Sequence, residues 1–150
     1  MDSVLENAET FKLRENGDIS FLRFRVVKFT PSVFIYFSWG RNPYTDMPVI
    51  ELQSDTVVFG RMKFNGEVRS IETISKDIGK EEAIDFWMIL DKDEISIGNQ
   101  IYENYELLGK FKYEELEELN FVGFSSKEET NWVVEDGEIF HHAFTFHFVF

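Results

Sequence analysis

The sequence predicts an all-β fold, an antiparallel two-sheet β-sandwich of jelly-roll type. Three observations carry that reading. Short runs of Val, Ile and Phe with period-two alternation recur along the chain, the pattern of a pleated, half-buried surface. Turn residues separate about ten such runs at a spacing of roughly 8–12 residues, as in sandwiches and barrels. Aromatics make up 17% of the chain, including 17 phenylalanines, while helical periodicity is scarce. With 43% hydrophobic residues and no Ser/Gly-rich linker or internal repeat, residues 1–150 read as a single domain.

Each element has its own signature. In 18–29, Leu22, Phe24 and Val26 alternate with Arg23, Arg25 and Val27, a strand with one dry and one partly wet face. Pro31 breaks it. Val33 to Phe37 is apolar on both faces, so it should lie centrally and be covered on each side. Pro48 to Leu52 and Thr56 to Phe59 follow across Ser54-Asp55. Met62 to Phe64 and Glu67 to Ile74 flank Asn65-Gly66, a strong hairpin signal. Phe86 to Leu90 and Glu94 to Ile97 flank Asp91-Lys92-Asp93, a second expected hairpin. Phe121 to Phe124 is a further strand, and 140–150 closes the chain with Phe140, His142, Phe144, Phe146, Phe148 and Phe150 on one face. Lys80 to Phe86 and Tyr113 to Leu119 are expected to form one or two helical turns each, the second with Leu116 and Leu119 among glutamates.

Composition excludes several kinds of chemistry. The chain has no cysteine, which removes disulfides, thiol nucleophiles, cysteine-ligated zinc and iron–sulfur clusters. Its 28 acidic and 15 basic side chains give a formal charge of −13, which disfavours nucleic acid and anionic membrane surfaces as partners. No apolar run exceeds five residues, and the acidic start Met1-Asp2-Ser3 is no secretory signal, so the expected address is cytoplasmic. The closest glycines, Gly60 and Gly66, are six residues apart, so no glycine-rich cofactor loop and no GxSxG elbow exists. His141 and His142 point to opposite faces of a strand, and His141 and His147 are about 20 Å apart along it. No metal site, catalytic residue or cofactor is expected.

What remains is recognition by aromatic and polar side chains together. A flat ring beside hydrogen-bonding groups suits a sugar or peptide, because the ring stacks while the polar groups orient. Trp39, Arg41, Asn42 and Tyr44 stand in a loop after the most buried strand, and Tyr102, Asn104 and Tyr105 form a second such segment. Trp132 has the same character. The competing reading places these rings over the ends of the core.

The segment from Asp85-Phe86-Trp87-Met88 to Ile95-Ser96-Ile97-Gly98 resembles the hairpin of the domain family named after farnesoic acid O-methyltransferase. Phe21 to Phe37, Pro48 to Leu52 with Val57 to Gly60, and Asn120 to Ser126 followed by Trp132 resemble that family's other strands in the same order, over about residues 18–135. Arg61-Met62-Lys63-Phe64 departs from the asparagine-containing turn usual there. The resemblance implies a β-sandwich module, and the family name implies methyl transfer to a sesquiterpenoid acid. The expectation from both lines together is a non-catalytic module binding a carbohydrate, a small apolar ligand or a protein partner. Homo-oligomers through an exposed edge strand, the last one above all, form the third reading.

Overall fold

The computed structural model describes residues 9–12, 20–27, 32–38, 46–63, 67–78, 82–101, 103–119, 121–126, 130–136 and 143–148. Within them the chain forms twelve strands: β1 (Glu9–Lys12), β2 (Ser20–Val27), β3 (Val33–Ser38), β4 (Met47–Leu52), β5 (Thr56–Met62), β6 (Val68–Ser75), β7 (Ala83–Asp91), β8 (Glu94–Ile101), β9 (Asn104–Lys112), β10 (Phe121–Ser126), β11 (Thr130–Asp136) and β12 (Ala143–Phe148). They make two six-stranded sheets, ordered β1-β10-β3-β4-β5-β6 and β12-β11-β2-β7-β8-β9. Every pairing is antiparallel. The all-β sandwich expected from the alternation is therefore the observed architecture. No helix among the described residues is long and apolar enough to cross a membrane.

The alternation works as a sorting device. Leu22, Phe24 and Val26 of β2 and Ile84, Phe86, Met88 and Leu90 of β7 all turn inward and are buried. Phe24 stacks on Phe86 at 5.2 Å between ring centroids and lies 5.3 Å from Phe124 of the opposite sheet. Trp132 of β11 completes this cluster, 5.8 Å from Phe24 and 4.9 Å from Phe124. A second aromatic contact, Phe59 with Phe111 at 5.3 Å, joins β5 to β9 across the sandwich. Rings that bury this much area each contribute roughly 1.5–3 kcal/mol. As the two-sided apolar run implied, all of β3 is buried.

Three local expectations change. The helical turn expected over 80–86 is β7 from Ala83 onward, because the inward period-two series beginning at Ile84 outweighs the helix propensity of the preceding glutamates. The strand expected at 56–59 runs on to Met62 as β5, through a bulge between Phe59 and Gly60, and so takes in the start of the strand expected at 62–64, whose Phe64 lies outside the described residues. The segment containing Asn104 and Tyr105, read as a loop, starts β9, whose exposed first half shows no alternation. Of the turn expected over 113–119, one 3-10 turn forms at Leu116–Glu118. The Asp91-Lys92-Asp93 hairpin forms as expected, with Lys92 at a φ of 56°. The Asn65-Gly66 turn lies outside the described residues, while the strands it was expected to join do pair, Met62 opposite Val68.

Candidate surface on the second sheet

Of the residues expected to contact a ligand, Trp39, Arg41, Asn42, Tyr44 and Tyr102 lie outside the described residues. Trp132 is fully buried among Phe24 and Phe124, which leaves it no face to offer a ligand; here the core reading of that ring applies. Asn104 is exposed, and Tyr105, at 59% exposure, stands well out from the sheet.

Tyr105 has neighbours that sequence spacing alone does not reveal. Residues opposite one another in an antiparallel ladder share a face. Reading across the second sheet from β11 to β9, one row runs Val133, Arg25, Asp85, Gln100, Tyr105. The next runs Glu135, Arg23, Trp87, Gly98, Leu107. Both rows fall out of phase with Phe24, Phe86 and Ile97 of the core, so they lie on the outer face. Five strands thus bring onto one surface residues more than a hundred positions apart in the chain, counting from Arg23 to Val133.

The geometry of this face follows from its parts. Trp87 projects from β7 and its indole lies across Gly98 of β8: a methyl group on Gly98 would collide with the six-membered ring. Glycine here is a steric requirement that lets the ring lie flat on the backbone. The indole Nε1 donates to the carbonyl of Asn99 at 3.2 Å, which pins the ring at its edge. Asn99 itself is buried and donates from Nδ2 to the carbonyl of Ile78 at 3.0 Å, so the platform rests on a fixed support. Leu107, 42% exposed, extends the apolar strip beyond Gly98.

Polar groups border the strip. Arg25 holds Asp85 through two contacts, Nε to Oδ1 at 2.6 Å and Nη2 to Oδ2 at 3.2 Å. Both side chains are about half exposed, so the fork adds little stability and chiefly orients and neutralises the pair. Arg23 reaches over β7 and donates from Nη2 to Oε1 of Gln100 at 3.2 Å. Between these side chains is a cavity of about 290 Å³ lined by Arg23, Arg25, Asp85, Gln100 and Val133, with Phe24 and Phe86 in its floor. Among the described residues no group of three or more His, Asp or Glu side chains gathers to hold a metal ion.

A different polar cluster closes one end of the sandwich. Arg61 pairs with Glu115 at 2.5 Å, donates to the carbonyl of Asp46 at 3.2 Å and sits 5.9 Å from the Tyr113 ring centre. The hydrogen bond to Glu115 raises the Arg61 guanidinium above its ordinary value, outweighing a smaller opposing effect of burial. Tyr113 Oη lies 3.0 Å from the carbonyl of Val49 and 3.1 Å from that of Gly60. Burial pushes this phenol well above the usual tyrosine range. All of these groups satisfy one another within the fold, so the cluster is a structural clasp.

Sequence reasoning looked for aromatics in loops and passed over Trp87, which it took as part of a hairpin. A signal was present nonetheless. Trp87 is out of phase with Phe86 and Met88, as Arg23 and Arg25 are with Leu22 and Phe24, which assigns all three to wet faces. Only the strand order makes those wet faces one face. Neither a scan against protein-family models nor a search of curated proteins finds a match to this chain.

Proposed function

We propose that this chain is a non-catalytic recognition module that takes a carbohydrate on the outer face of its second sheet. The observation that carries the reading is Trp87 laid flat over Gly98, partly exposed and flanked by Arg23, Gln100 and Tyr105. A sugar ring has an apolar face of C–H groups and a rim of hydroxyls. A flat indole on a rigid sheet meets the first, while guanidinium, amide and phenol groups meet the second. Arg23 and Gln100 are already held to one another by a hydrogen bond, so ordering them on binding loses little side-chain entropy.

The resemblance to the farnesoic acid O-methyltransferase domain family supports a shared strand framework more than a shared reaction. Methyl transfer to a sesquiterpenoid acid calls for an apolar pocket beside a cofactor cleft, whereas the cavity on this face is bordered by two arginines, an aspartate and a glutamine. A cytoplasmic address belongs to the same proposal.

The test is a titration against an oligosaccharide panel, followed by calorimetry and by thermal shift, with Trp87→Ala as the control. A ligand at a hundredfold its dissociation constant adds about 2.7 kcal/mol of stability, enough to move the melting point by roughly 5–10 °C. Stacking on one exposed ring predicts at least a tenfold loss of affinity in Trp87→Ala. Unchanged sugar affinity in that variant would move the site elsewhere, and the absence of any sugar binding would refute the reading.

A further inference from the structure

The side chains of the candidate face are sorted into two parallel rows that cross the strands. The row of Trp87, Gly98 and Leu107 is apolar, and the ladder sets its members opposite one another on β7, β8 and β9. Two residues along each strand, about 7 Å away, the row of Arg25, Asp85, Gln100 and Tyr105 carries hydrogen-bonding groups. Neighbouring strands lie about 4.8 Å apart, so the apolar row is about 10 Å long and the polar row about 14 Å. Ile71, Tyr105 and Leu107 are the exposed large hydrophobic side chains among the described residues, and the last two stand together at the β9 end of these rows.

Charge is balanced along the two rows when they are followed to β11. Arg25 holds Asp85, and Glu135 stands opposite Arg23 in the register of β2 and β11. Two basic residues thus meet two acidic ones, which leaves no excess cation there to hold an anion on a chain whose formal charge is −13. The polar row offers both kinds of hydrogen bonding: Arg25 donates, Asp85 accepts, and the Gln100 amide and Tyr105 phenol do either. A hydroxyl group is itself donor and acceptor, so it can use any of these positions.

We infer that the ligand is a neutral oligosaccharide bound along its length across β7, β8 and β9, with its rings flat on the row from Trp87 to Leu107 and its hydroxyl edge turned to the polar row. This rests on the carbohydrate reading above and adds the ligand's length, charge and direction. The apolar row is longer than one pyranose ring, so Trp87 serves one ring, and Leu107 with Tyr105 serves the next. β9 is the edge of its sheet, and no further strand extends the strip beyond it. Contact therefore saturates after a few rings.

The experiment is calorimetry on the intact chain with cello-, xylo- and mannooligosaccharides, each from the monosaccharide to the hexasaccharide, beside oligogalacturonate as the anionic probe. In at least one neutral series, affinity is expected to rise about tenfold or more between monosaccharide and trisaccharide, the scale of a second stacked ring, and then to level off. Oligogalacturonate should bind no more tightly than that series. Tyr105→Ala should cut the gain with length at least about threefold, and Trp87→Ala should weaken binding at every length. An affinity that does not change with length in the wild-type chain overturns the inference and leaves the carbohydrate reading standing. So does tighter binding of oligogalacturonate. A gain undiminished in Tyr105→Ala, with a thermal melt close to that of the wild type, overturns it too, because the chain then does not reach β9. The length series on the wild-type chain decides without any variant, and only the absence of all sugar binding removes the carbohydrate reading as well.

Discussion

Each sheet of this molecule lays an aromatic ring across a glycine of the neighbouring strand, and the two rings meet opposite fates. On the first sheet, Tyr36 of β3 covers Gly123 of β10, its register partner; on the second, Trp87 of β7 covers Gly98 of β8. Tyr36 is fully buried, together with Phe34, Met47, Val49 and Met62 of the same outer face. Trp87 stays partly open among arginines, an aspartate and a glutamine. The same ring-on-glycine device is thus packing on one side and a platform on the other. What differs is the company: buried apolar side chains surround the first ring, and charged and polar side chains border the second.

The comparison can be broken most forcefully at the glycines. Gly123→Ala places a methyl group against the Tyr36 ring, which has no solvent to swing into, and is expected to destabilise the fold by about 3 kcal/mol in urea unfolding. Gly98→Ala meets the Trp87 ring and the Glu106 carbonyl of β9, an edge strand that can give way, so about 1–2 kcal/mol is expected. Equal costs, or a larger cost at Gly98, would mean that the second platform is as locked as the first.

Tyr113 sharpens the contrast by pH, because it ties the closed sheet through the carbonyls of Val49 and Gly60. Its phenol binds its proton more tightly folded than unfolded, since burial raises its pKa. The stabilisation is therefore fully present below the ordinary tyrosine value of about 10 and is lost as pH rises beyond it, with a slope of up to about 1.4 kcal/mol per pH unit. Tyr113→Phe should be about 1 kcal/mol less stable at neutral pH, and its deficit should shrink between about pH 10 and 11. A deficit that stays constant across urea midpoints in that range would contradict the burial argument.

The smallest effect belongs to the hairpin under the open face. Lys92 holds a left-handed backbone at φ 56°, which glycine adopts freely. Lys92→Gly is expected to gain about 0.5 kcal/mol, a rise of about 1–2 °C in melting temperature, because relief of strain slightly exceeds the added chain entropy. A loss of stability would show the turn to be unstrained.

Much of the framework was legible before the structure. Leu22, Phe24 and Val26 announced β2 and its buried face, and Val33 to Phe37 announced a strand covered on both sides, because burial of apolar side chains and a period of two leave few alternatives. β9 was not legible: an edge strand with an exposed first half needs no alternation, so Asn104 and Tyr105 looked like a loop. Trp132 was ambiguous for another reason, since a lone tryptophan suits a core and a binding face equally well, and only its packing against Phe24 and Phe124 decides between them.

The division between sequence and structure follows from the range of the forces. Alternation, turn chemistry and the absence of cysteine and glycine-rich loops are local, and they sufficed for an all-β sandwich and for excluding whole kinds of chemistry. The candidate face is non-local: Arg23, Trp87, Gln100 and Tyr105 come from four different strands. Their meeting depends on strand order and register, which hydrogen bonding and core packing settle together over the whole sheet. Sequence determined which side chains stay wet, and tertiary structure decided which of those wet side chains share a surface.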